Sequence, residues 1–156
     1  MPSILCRLRA ADSDSIPRLH SQEVVEKLLR CDSPEIEISK EPRKTPRVFE
    51  LRVYHSPTGR QLAALHERFA GPEIKIFHRS GVNPLFYSST VFGAAIPNLT
   101  YLIPFDSLAE REKAWATFGG DPEWTKVRAE SIAKHGQVSS IIQMSLYKAT
   151  PYSPVQ

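Results

Sequence analysis

From Arg47 onward the spacing of apolar residues switches repeatedly between two and about 3.6, and the order of those switches restricts the chain to few folds. In "RVFELRVY", Phe49, Leu51 and Val53 fall on one side of an extended chain, and Glu50, Arg52 and Tyr54 fall on the other. "HSPTG" is a turn, and "RQLAALHERF" places Leu62, Leu65 and Phe69 at helical spacing. Gly71-Pro72 interrupts that helix, Pro72 can open a second helical stretch, "PEIKIFHRS", and Gly81 is placed to end it. "NPLFYSSTVF" and "LTYLIPF" read as two strands around a "GAAIPN" turn. "DSLAEREKAWATFGG" is a helix with a Ser107/Glu110 capping box, a stripe of Leu108, Trp115 and Phe118, and a Gly119-Gly120 stop. Asp121 caps a further helix with Pro122 at its first position, and "QVSSIIQMSLYKA" is the last strand.

Strand, helix, strand, strand, helix, strand is the α+β, ferredoxin-like βαββαβ plan: one antiparallel sheet with helices on one face. The expected arrangement has the helices over Phe49, Leu51 and Val53, leaving Glu50, Arg52 and Tyr54 on an open face. An open, half-apolar sheet in a small domain needs a second layer, and another copy of the chain supplies one. The expectation is therefore a homodimer, a dimeric α/β barrel with a small-molecule cavity between its sheets.

The boundary falls near Pro46. Residues 47–156 form the domain, and residues 1–46 are an N-terminal extension. In that extension Val24, Val25, Leu28 and Leu29 share a helical stripe capped by Ser21. A proline- and charge-rich linker follows, with room for a short strand at Ile36–Ile38. The two cysteines, Cys6 and Cys31, form no CxxC and have no histidine at metal-ligand spacing, which fits a reducing compartment. The net charge of +3 comes from bases interleaved with acids, without a basic stripe or an RNA-binding aromatic motif, so no nucleic-acid partner is expected. No run approaches the ~20 apolar residues of an integral membrane segment. Cytoplasmic localisation is the default. The Arg- and Ser-containing start leaves a mitochondrial one open, against which Asp12 and Asp14 count.

Candidate ligand-binding residues come from the polar face and its surroundings. Arg52 could hold an anionic or carbonyl group with Glu50 as orienter or base, and the plainer reading is an ion pair across strands or subunits. Tyr54 shares their face. Tyr87 and Tyr101 lie on the two central strands, as phenol donors around a pocket or as ordinary cross-strand packing. His55, just after the first strand, and His78, on a helix, are the candidate proton shuttles. Trp115 belongs to a core. No HExxH or HxxxH, no phosphate-binding glycine loop and no GxSxG is present, so neither a metal nor another cofactor is expected, and no catalytic residue is assigned.

"VFELRVY", "EIKIFHRSGVNPLFYSS", "NLTYLIPFDSLAEREKAWATFGGDPEW" and "PYSP" together resemble the NIPSNAP family, over about residues 47–154. The resemblance is most specific from Leu99 to Trp124. It implies the dimeric α/β-barrel superfamily, whose members include cofactor-free monooxygenases, haem-handling enzymes and isomerases. It implies a cavity and a dimer, and no particular reaction. A non-catalytic protein-interaction module, docking through the 21–30 helix, is the alternative of another class. Some similar proteins carry two such domains in tandem. On that resemblance residues 1–46 are the remnant of a first domain, and an unrelated extension is the other reading.

Overall fold

The computed structural model describes residues 45–153 and 155. The expected helix at 21–30, the linker, the short strand at 36–38 and both cysteines lie outside the described residues. Four strands form one antiparallel sheet: β1 (Val48–His55), β2 (Phe86–Ser88), β3 (Asn98–Phe105) and β4 (Ile141–Lys148). Their order across the sheet is β2-β3-β1-β4, the ferredoxin-like order. Between them run α1 (Gly59–Arg68), α2 (Ile74–Arg79), α3 (Leu108–Gly119) and α4 (Pro122–His135). Among the described residues no helix is long and apolar enough to cross a membrane.

Local chemistry sets the boundaries. Thr58 caps α1, accepting from the Gln61 N–H, and Ser107 caps α3, accepting from the Glu110 N–H. Asp121 caps α4 by accepting from the N–H groups of Glu123 and Trp124, with Pro122 at the first position. At Gly71-Pro72 the helix kinks rather than stops. A π-type turn over Phe69–Glu73, with Gly71 at φ −84°, ψ −116°, carries α1 into α2. Gly81 ends α2 at φ +85°, a conformation that glycine adopts without strain.

The helices cover the face carrying Glu50, Arg52 and Tyr54, the reverse of the sequence expectation. The core beneath them contains Leu65, Phe69, Ile76, Phe77, Leu99, Tyr101 and Ile103, all fully buried. Edge-to-face rings tie it together, with Tyr54 to Tyr101 at 5.4 Å and Phe77 to Phe118 at 4.7 Å between centroids. Phe49, Leu51 and Val53, with Leu102, Phe86 and Tyr147 in register beside them, line the face without helices. Alternation tells which residues share a face. It does not tell which face is inward when the charged set can be fully paired.

Candidate functional site

Of the polar residues of β1, Glu50 is completely buried and is the hub of an ion cluster. Its Oε1 accepts from Arg52 Nε at 2.6 Å and from Arg111 Nη2 at 3.2 Å. Its Oε2 accepts from Arg111 Nε at 2.7 Å and from the Trp115 indole at 2.9 Å. Burial alone would raise the Glu50 carboxyl, but the hydrogen bonds from Arg111, Trp115 and Arg52 and the charge of Arg52 outweigh it and hold it below its ordinary value. The Arg52 guanidinium lies 3.7 Å from the centre of the Trp115 ring and donates to the Tyr54 hydroxyl at 3.2 Å. Tyr101 donates to the same hydroxyl at 2.8 Å, and burial pushes the Tyr101 phenol up. The cluster is mutually satisfied and tightly packed.

A separate cavity of about 100 Å³ opens one step along the same layer. Tyr54 of β1 and Ile142 of β4 form its floor. Arg68 of α1 and Glu73 of the π-type turn stand at one side. Trp124, Arg128 and Ile132 of α4, with Gln137, Val138 and Ser139 after it, complete the wall. Glu73 is buried and accepts from Arg68 Nε at 2.7 Å, while the Arg68 guanidinium lies 5.1 Å from the Trp124 ring centre. Burial pushes the Glu73 carboxyl up to about 7, against the pull of Arg68. A carboxyl held near neutrality in a cleft can give or take a proton at physiological pH.

Among the sequence candidates, only Tyr54 lines this cavity. Arg52 and Tyr101 stand behind it through contacts to its hydroxyl, and Glu50 stands behind Arg52. Tyr87 pairs directly across from Tyr101, and its ring packs 5.9 Å from Phe69. His55 lies elsewhere, its Nδ1 3.0 Å from the Ala95 carbonyl in the β2–β3 loop. His78, on α2, joins neither the ion cluster nor the cavity wall. Sequence reasoning missed Arg68, Glu73, Arg111 and Arg128. A signal existed for two of them. Leu62, Leu65, Phe69, Glu73 and Ile76 follow one another at steps of three and four, so Glu73 falls on the buried stripe. Arg111, Trp115 and Phe118 form the same kind of stripe on α3.

The NIPSNAP family profile matches residues 49–154, well over half of the sequence. The chain belongs to the NIPSNAP family. Solved NIPSNAP structures share its fold. A NIPSNAP family protein of unknown function from Agrobacterium tumefaciens is 19% identical over 73% of this chain and 97% of its own, with a TM-score of 0.63. A second from that organism is 17% identical over 70% of this chain and 99% of its own, with a TM-score of 0.62. An uncharacterised NIPSNAP-like domain protein from Burkholderia xenovorans is 20% identical over 69% and 89%, with a TM-score of 0.59. A search of the curated proteins finds no match. At these identities the likeness is one of fold, and any ligand of this NIPSNAP domain has to be argued from its own residues.

Proposed function

We propose that this NIPSNAP domain acts as a homodimer, with the helix-free sheet faces together in a dimeric α/β barrel, and that each copy holds a small molecule in the cavity beside Tyr54. The observation that carries the reading is the cavity itself, a recess lined by a paired buried carboxyl, a second guanidinium and an indole face. Its volume is small beside the roughly 300–1,000 Å³ of drug-sized pockets, so a ligand of few heavy atoms fits. Tyr54 is the contact from the sheet; Arg52 and Tyr101 are positioning residues that hold its hydroxyl, and Glu50 holds Arg52. The dimer is supported by the apolar helix-free face and by β4, an edge strand whose every residue is exposed, including Ile141, Met144 and Tyr147. A long apolar edge left to water invites pairing with another chain.

Native mass spectrometry of the full chain tests both parts. A species near twice 17.6 kDa that carries a small adduct is expected. A clean monomer in gentle conditions would overturn the proposal.

One observation favours a non-catalytic interaction module as the second reading. In the β2–β3 loop Val91 and Phe92 are 95% and 96% exposed, an apolar tip suited to docking in a partner. Substituting both with serine would leave dimer mass and adduct intact, and would abolish partner capture, if this reading holds.

A further inference from the structure

The cavity wall carries more positive than negative charge. Arg68 is shared between Glu73 and the Trp124 ring. Arg128 stands one helical turn after Trp124, lines the same cavity and makes no ion pair among the described residues. Glu73 is the only carboxylate among the described residues of the wall. Two guanidiniums facing one carboxylate leave an unmet demand for an anion, and a planar guanidinium matches a carboxylate best. Ile132 and Ile142 border the same space and offer it an apolar side.

We propose that this cavity binds a small monocarboxylate, and that binding takes up one proton. The ligand's carboxylate engages Arg128 and takes the place that Glu73 holds on Arg68. Its short hydrocarbon tail lies against Ile132 and Ile142. The displaced Glu73 carboxylate would be an unpaired buried charge, so it accepts a proton from solvent. This rests on the cavity being a ligand site, as proposed above.

The groups facing Glu73 are Arg68 from α1, Tyr54 and Tyr101 from β1 and β3, and Arg128 across the cavity on α4. A guanidinium does not titrate in the neutral range and a phenol ordinarily titrates near 10, which leaves Glu73 as the group that changes. Its carboxyl, pushed up to about 7 by burial despite Arg68, is poised for that exchange.

The test is calorimetric titration of the full chain with butyrate at pH 6, 7 and 8, in two buffers of different ionisation heat. Binding is expected to weaken about tenfold from pH 6 to pH 8, with proton uptake approaching one per site at pH 8. Arg128→Ala, an exposed position, is expected to weaken binding at least about tenfold at every pH. Glu73→Gln is expected to make the affinity independent of pH. The neutral amide butyramide should not bind. Butyrate affinity that is the same at all three pH values, or unchanged in Arg128→Ala, overturns the proposal. So does equal binding of butyramide, or binding of inorganic phosphate without butyrate. A dimer that retains a neutral adduct in native spectra but ignores butyrate loses the anion site and keeps the cavity; a chain that retains nothing and ignores butyrate loses both.

Discussion

Glu50 and Glu73 are both buried carboxyl groups on the same layer, and their surroundings move them in opposite directions. Four short contacts to Glu50 stabilise its charged form, whereas the single Arg68 contact to Glu73 does not offset its burial. Glu50→Gln removes the charge between Arg52 and Arg111, whose side chains are 17% and 11% exposed. Breaking a buried pair from one side costs about 3–5 kcal/mol, and the residual exposure of both arginines places this loss near about 3 kcal/mol. Urea unfolding at pH 7 measures it, and a loss under about 1 kcal/mol would mean that the cluster is solvated. The pH dependence follows in sign. Glu50 is depressed when folded, so its contribution is full above the unfolded value near 4.5 and is lost as pH falls through the lower folded value. Glu73 is raised when folded, so the native state holds the extra proton between about 4.5 and 7, and stability falls as pH rises through that window. The slope is at most ~1.4 kcal/mol per pH unit. Unfolding curves of the wild-type chain minus those of Glu73→Gln should decline between pH 5 and 7 and level beyond; a flat difference rules out a shifted Glu73.

Among the elements, α2 shows how a single glycine can fix a boundary. Gly81 sits at φ +85°, and a Cβ added there would meet Ala114 Cβ at 3.6 Å, an ordinary contact. The penalty for Gly81→Ala is therefore one of backbone alone, about 1–2 kcal/mol. Thermal unfolding should register it, and Gly120→Ala, at φ −86°, should lose less. Boundaries of this kind were legible: Gly81, the Ser107 cap and the Asp121-Pro122 start all stand where local chemistry placed them. Strand extent was not. The β-branched and aromatic residues of "NPLFYSSTVF" read as one long strand, yet β2 spans only Phe86–Ser88. Its ladder with β3 ends at Ser88↔Thr100, and two residues on the N–H of Thr90 donates to the Asn98 side chain at 3.3 Å instead of continuing the ladder. Propensity describes a residue that fits a pleat, and it cannot say where the neighbouring strand stops. The α3 stripe failed in a related way. Leu108 is 54% exposed, and Arg111, drawn in by Glu50, occupies the inward position instead. A salt bridge between residues 61 apart has no local signature. The cavity was hidden for the same reason, since Arg68, Glu73 and Arg128 meet only after α4 packs against α1 and the π-type turn.

For the whole molecule the inverted sheet changes which surface a second copy would cover. With Glu50, Arg52 and Tyr54 under the helices, the outward face offers Leu51, Val53, Leu102 and Tyr147, with Thr100, Gln143 and Ser145 as its polar members and no charged residue of β1. An apolar face of this kind favours direct packing of sheet on sheet over a ligand chamber between them, and it leaves the cavity of each copy on the far side of its own sheet. Dimerisation and ligand binding are then separable. Tyr147 is half exposed, and its ring stands on the face proposed to be shared. Tyr147→Glu would bury a charge in that face, only partly answered by Arg47 over the neighbouring Phe49 ring, a penalty of about 1–3 kcal/mol that weakens the dimer roughly tenfold to a hundredfold. Sedimentation velocity should then show monomer at concentrations where the wild-type chain is dimeric. Circular dichroism should show an intact fold, and the cavity should keep whatever small molecule it holds. A dimer that survives this substitution must use another surface, with β4 joined edge to edge as the next candidate. Loss of the ligand together with the dimer would show that the cavity needs the second copy for its shape.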